Sequence, residues 1–193
     1  MTYGEELKDK LFKKKVNGWF KISEELKKEI FEYNERYMDF LNNSKTEREI
    51  VKSSVKIAKE HGFKDISEVE HLNVGDKVYY INKEKSMYLA IIGEDKLENG
   101  LNIIGSHADS PRLDLKPNPL YEDQELVYFK THYYGGIKKY QWTTIPLSIH
   151  GVIVKGNGEK VEVRIGEDDK DPIFTVTDLL PHLAKEQENL KFY

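Results

Sequence analysis

Apolar positions along this chain follow two periods in succession, helical at first and alternating from about Lys77 onward, which predicts helices before strands. Tyr3, Leu7 and Leu11 repeat at helical spacing among Lys8, Lys10, Lys13, Lys14 and Lys15, so a first helix is expected with its lysines on a solvated face. A second helix is expected from Ser23, a good cap, with Glu24 and Glu25 in the first turn, where carboxylates offset the helix dipole. Its stripe of Leu26, Ile30, Tyr33, Tyr37 and Leu41 reads as a core face, and Asn42-Asn43-Ser44 ends it. Thr46 to Glu49 spells a capping box for a third helix, which runs through Ile50, Val51, Ile57 and Ala58 to His61 before Gly62 stops it. His61 suits the dipole of that last turn and reads as structural.

Val78 to Ile81 and Met87 to Ile92 flank the polar Asn82 to Ser86, a hairpin pattern. Leu101, Ile103 and Ile104 read as a short buried strand broken by Gly105 and Ser106. Leu113 and Leu115 then alternate with Asp114 and Lys116 before Pro117-Asn118-Pro119, which reads as a turn. Strands are expected over 125–134, 145–155 and 160–165, the last two joined by the hairpin signal Gly156-Asn157-Gly158. Thr177 or Asp178 is placed to cap a final helix, with Pro181 in its first turn, where a missing N–H costs little. Leu179, Leu180, Leu183 and Leu190 form that helix's apolar side, and His182 falls at its positive end, where the dipole lowers an imidazole's proton affinity. These elements predict an α/β chain in which a sheet is covered by helices, followed by a β-rich region, with the boundary near Pro117 to Tyr121.

Composition narrows the chemistry. The 193 residues suffice for one large domain or two small ones. With 30 Lys+Arg against 34 Asp+Glu the formal net charge is -4, which argues against nucleic acid as a partner. There is no cysteine, so a transition-metal site has to be built from His, Asp and Glu. The start, Met-Thr-Tyr-Gly-Glu-Glu-Leu-Lys, lacks the apolar stretch of a signal peptide, and no window approaches the ~20 apolar residues of a membrane span. A cytoplasmic protein without a membrane partner is expected. Within that frame His107 and Asp109 stand out, two residues apart at the end of the expected strand, with Ser110-Pro111 forcing an extended backbone after them. An imidazole ligates a metal well when a second group fixes its tautomer, and a carboxylate does this best. Most His-x-Asp pairs in proteins are solvated loop residues, so the neighbouring sequence has to raise this one above that background.

Three segments do so. Gly105-Ser-His-Ala-Asp-Ser-Pro-Arg-Leu-Asp-Leu-Lys-Pro117, Thr131-His-Tyr-Tyr-Gly-Gly-Ile-Lys-Lys-Tyr-Gln-Trp142 and Phe174-Thr-Val-Thr-Asp-Leu-Leu-Pro-His-Leu-Ala-Lys185 resemble, in order and spacing, the aspartyl aminopeptidase family of cytosolic dinuclear-metal exopeptidases. The likeness runs through most of the chain after about Lys77, and Lys138-Lys139-Tyr140-Gln141-Trp142 follows a bacterial branch. The resemblance implies the N-terminal part of a metallo-aminopeptidase α/β/α domain over 1–117 and a β-rich dimerisation domain over 118–193, both incomplete. It implies that His107 is a metal ligand, that Asp109 orients and polarises its imidazole, and that His182 reaches a neighbouring subunit's active site to steady the tetrahedral intermediate. The implied cofactors are two divalent ions about 3.5–4 Å apart, zinc first with manganese or cobalt as alternatives. The implied partners are peptides with a free amino end and further copies of the chain, arranged as a dodecamer built from dimers.

The family's remaining ligands and its base lie beyond the dimerisation insert, and Glu186 and Glu188, at a polar helix end, do not replace them. The chain is therefore expected to be a partial aminopeptidase, inactive in isolation. The competing readings are a non-catalytic assembly module that retains the oligomerisation surface, and a generic β-rich binding domain.

Overall fold

The computed structural model describes residues 2–13 and 15–184. It is a mixed α/β chain, and it divides into two compact units, Met1–Asn43 and Ser44–Tyr193.

In the first unit, helix α1 spans Tyr3–Leu11 and helix α2 spans Glu24–Asn42. The Ser23 hydroxyl accepts from Leu26 N at 3.2 Å, as the sequence predicts, and Lys27 pairs with Glu24 at 2.5 Å in the same turn. The stripe expected to face a core does not. Leu26, Ile30, Tyr33, Tyr37 and Leu41 are all exposed, and α2 has no buried residue. Helical period selects a helix and one apolar side; it does not supply the surface that covers that side.

The second unit is built on helix α3 (Glu47–Glu60) and three strands, β1 (Lys64–Asp65), β2 (Lys77–Asn82) and β3 (Ser86–Ile91). The α3 capping box forms as predicted: Thr46 Oγ1 accepts from Glu49 N at 3.3 Å, and Glu49 Oε2 accepts from Thr46 N at 3.0 Å. At the other end His61 Nδ1 lies 2.9 Å from the Ile57 carbonyl, so this histidine closes its own helix. Gly62 then takes the left-handed φ of 83° that lets Phe63 N return to Ala58 O. β1 pairs with β2 in parallel and β2 with β3 antiparallel. The buried core, Val51 and Ala58 of α3 with Val78 and Tyr79 of β2, forms where the helix lies on this sheet.

Beyond the sheet the backbone of 101–111 has no regular structure and, among the described residues, makes no backbone–backbone hydrogen bond. The strand expected at Leu101 to Gly105 is therefore absent, and Ile103 and Ile104 are 81% and 100% exposed. An apolar run becomes a strand only when a neighbour completes its ladder, and none of the described strands lies against it.

Two hairpins follow. β4 (Arg112–Asp123) pairs with β5 (Leu126–Tyr134), and β6 (Ile149–Val154) pairs with β7 (Lys160–Ile165). Pro117-Asn118-Pro119 is a bulge inside β4 and not a turn. The register passes from Leu115↔Thr131 to Leu120↔Phe129, so Lys116 to Pro119 stand opposite the single Lys130. Two prolines without N–H donors cannot hold the ladder there, and it resumes beyond them. The final helix is reduced, among the described residues, to a 3-10 turn at Pro181–Leu183 with Leu180 at its cap. Asp178 accepts from its neighbour Leu179 N, at 2.8 Å. Three residues carry no helix-length dipole, so the dipole argument for His182 lapses. Glu186, Glu188 and Leu190 lie outside the described residues. Among the described residues, no helix is long and apolar enough to cross a membrane.

The β6–β7 hairpin is fastened to the start of α3 by a charged cluster that the sequence does not announce. The His150 side chain is 6% exposed; its Nδ1 lies 2.7 Å from Glu49 Oε1 and its Nε2 lies 2.9 Å from Glu167 Oε1. Lys45 Nζ, at 2.9 Å, and Ser148 Oγ, at 2.7 Å, also reach Glu167. These bonds from Lys45, Ser148 and His150 hold the Glu167 carboxyl down at about 2. Burial alone would raise Glu49, but His150 and the N–H groups of Lys45 and Thr46 bring it below the ordinary range. A depressed carboxyl stabilises the fold fully above its unfolded value, and that stabilisation is lost as pH falls toward the folded one. Glu167→Gln should therefore lower the melting temperature at pH 7 by about 5 °C and flatten its fall between pH 4.5 and 2. Parallel melting curves against pH for the two proteins would contradict this role.

Candidate functional site

The site starts from the irregular segment before β4. His107 and Asp109 lie there, beside the free end of the β4–β5 hairpin, where the register sets Arg112 opposite Tyr134. They do not sit at the end of a strand from the sheet, as the pattern had suggested. Gly135, at a φ of 75°, turns the chain out of β5 directly against Pro111, whose Cα is 3.6 Å from where a Cβ would stand. A side-chain-bearing residue would be strained at that φ.

His107 Nδ1 lies 2.7 Å from the main-chain carbonyl of Asp109 and 3.2 Å from its Oδ1. Both oxygens accept only, since the carboxyl is held below the usual carboxylate range by the Tyr134 hydroxyl, by its own backbone N–H and by His107. In the neutral ring these acceptors place the hydrogen on Nδ1 and leave the lone pair on Nε2. The His107 side chain is 82% exposed, so that lone pair is available from outside. The carboxylate was expected to orient this ring through its side chain; the shorter contact is made by its main-chain carbonyl.

Behind Asp109 stands a second layer. Tyr134 donates its hydroxyl to Asp109 Oδ2 at 2.9 Å, and this bond raises the tyrosine's own pKa. The Arg112 guanidinium lies 3.8 Å from the centre of the Tyr134 ring and donates to Asp114 at 2.7 Å and to Glu47 of α3 at 2.9 Å. Burial acts against the arginine's charge, but Asp114 and Glu47 more than offset it. Arg112 thus ties the hairpin end to the first turn of α3.

His182 is exposed on its 3-10 turn and forms no hydrogen bond or ion pair with His107 or Asp109 among the described residues. His107 and Asp109 are thus brought together, and His182 is not joined to them within this chain. Tyr134, Arg112 and Glu47 were missed as site residues. Tyr134 lies within the Thr131–Trp142 segment, but its role depends on the β4–β5 register, which no local pattern reports. A zinc site takes three or four protein donors. Among the described residues there is no group of three or more His, Cys, Asp or Glu placed to hold a metal. The donor chemistry of His107, with Nδ1 anchored and Nε2 open, fits one position of such a site.

Comparison with known proteins gives a consistent result. The family profile described as aminopeptidase I zinc metalloprotease (M18) matches residues 40–193. A probable M18 family aminopeptidase 1 of Borrelia garinii is 52% identical over 179 residues, covering 92% of this chain and 39% of that protein. The crystal structure of aminopeptidase I from Borrelia burgdorferi B31 superposes with a TM-score of 0.82 at 48% identity, over 86% of this chain and 41% of that one. Aminopeptidase I from Clostridium acetobutylicum superposes with a TM-score of 0.79 at 48% identity, over 92% and 40%. The chain spans about 40% of the length of these relatives.

Proposed function

The chain belongs to the aminopeptidase I zinc metalloprotease (M18) family, and on that premise we propose that it forms part of a metal-dependent aminopeptidase that removes residues from the free amino end of peptides. The observation that carries this reading is His107, its Nδ1 anchored on Asp109 and its Nε2 open, inside the matched segment. In this reading His107 Nε2 is one ligand of a site for two divalent ions, zinc before manganese or cobalt. When bound, such ions polarise the peptide carbonyl and lower the pKa of water.

The chain's own residues do the rest of what it contributes. Asp109 keeps the hydrogen on Nδ1 and strengthens the ligand nitrogen. His182, exposed at the far end of the β-rich part, donates a hydrogen bond to the developing oxyanion in a neighbouring subunit. In this reading residues 1–117 belong to the catalytic α/β domain and 118–193 to the dimerisation domain. The enzyme is a cytoplasmic homo-oligomer, a dodecamer built from dimers.

A chimera tests the reading: residues 1–193 replace the corresponding segment of the Clostridium acetobutylicum aminopeptidase I. It should hydrolyse aminoacyl-p-nitroanilides, lose that activity to a chelator and regain it with zinc. The 193-residue chain alone should show none, because His107 is one donor where zinc hydrolases use three. A folded, oligomeric chimera that does not cleave these substrates would overturn the reading in favour of an assembly module.

A further inference from the structure

The 101–111 segment has no ladder to hold it, yet its two chemical residues are held in one arrangement. Among the described residues, the side-chain tether from the rest of the fold is the Tyr134 hydroxyl on Asp109 Oδ2, at 2.9 Å. Both acceptors that face His107 Nδ1 belong to Asp109, its carbonyl at 2.7 Å and its Oδ1 at 3.2 Å. One hydrogen bond from Tyr134 thereby restrains both acceptors: it holds the carboxylate directly, and it resists any sliding of the segment that would carry the carbonyl away. The tyrosine in turn has little freedom. Its ring lies under the Arg112 guanidinium at 3.8 Å, and that guanidinium is pinned by Asp114 on its own strand and by Glu47 on α3. The planar, doubly anchored arginine restricts the ring as a lysine would not.

We infer that Tyr134 is a positioning residue that, held by Arg112, fixes the Nδ1–H tautomer and the outward Nε2 of His107 through Asp109. The tautomer does not depend on any metal; its consequence for binding rests on the reading of His107 as a ligand. An exposed histidine in water favours the Nε2–H tautomer, the form that cannot ligate through Nε2. Without the tether His107 would spend much of its time in that form, or with Asp109 turned away.

The experiment uses Tyr134→Phe, which keeps the ring, its stacking under Arg112 and its place in the ladder while removing the hydroxyl. In the 193-residue chain, nitrogen-15 spectra of the His107 ring, taken where the imidazole is neutral, should show Nδ1–H in the unsubstituted chain. They should show a shift toward Nε2–H in Tyr134→Phe. Arg112→Lys should give a partial shift. Melting temperatures should stay close to the unsubstituted value for Tyr134→Phe, so that a tautomer change is not unfolding. In the chimera, the same variant should weaken zinc binding by up to about 10-fold, the low end of what groups behind a metal ligand contribute. An unchanged tautomer and unchanged zinc affinity in folded Tyr134→Phe would overturn the inference while leaving His107 as a ligand. The failure of the ligand reading looks different: His107→Ala would leave zinc affinity intact, whatever the tautomer does.

Discussion

His107→Ala in the chimera should reduce peptide hydrolysis by more than about 100-fold, since even groups standing behind a metal ligand are worth ~10–100-fold. It should do so with almost no change in stability. The side chain is 82% exposed and its hydrogen bond goes to a residue two positions away, so its removal uncovers no core and orphans no distant partner. Exposed substitutions of this kind stay within about 0.5 kcal/mol. The combination is diagnostic: activity and bound zinc lost together, melting temperature kept. Asp109→Asn should be milder, about 10–100-fold, because the main-chain carbonyl still faces Nδ1 while the charged acceptor is gone. A His107→Ala chimera that retains zinc and turnover would remove the residue from the site.

The second large effect belongs to His182. On its short turn it is exposed and, among the described residues, forms no hydrogen bond or ion pair with His107 or Asp109. His182→Ala should cost about 10²–10³ in rate, the usual loss when one preorganised donor to an oxyanion is removed. Mixing separates action within a subunit from action across a boundary. In a hybrid of His182→Ala and His107→Ala subunits, action across the boundary gives one site with both defects and one with neither, so activity partly returns. If hybrids form and the mixture stays as inactive as its parents, His182 serves its own subunit or none.

Local chemistry was the legible part of this chain. The α3 capping box is written in Thr46 and Glu49, three residues apart, and both of its bonds form. The β2–β3 and β6–β7 hairpins follow from alternation on either side of polar turns, and both are present. What failed depended on distant partners. Leu101 to Gly105 has the composition of a buried strand and no neighbour among the described strands. Pro117 and Pro119 signal a break in hydrogen bonding, but whether the chain turns or bulges is decided by β5, which takes up the pairing again at Leu120↔Phe129.

The candidate site divides the same way. His107 and Asp109 are separated by one residue, so their pairing could be read directly. Tyr134 and Glu47 reach the same place only through the hairpin register and the packing of α3, which close loops of 25 and 65 residues. Outside the site, His150 is the clearest case. In sequence it is one histidine in an apolar strand, and its partners Glu49 and Glu167 stand 101 and 17 residues away.

Anomalous diffraction at the zinc edge from crystals of the chimera tests the central claim most directly. The account predicts a zinc peak within bonding distance of His107 Nε2, with Nδ1 still turned to Asp109 and the Tyr134 hydroxyl on the Asp109 carboxylate. A zinc site fully occupied without His107, or bound through Nδ1 with Asp109 turned away, would contradict it.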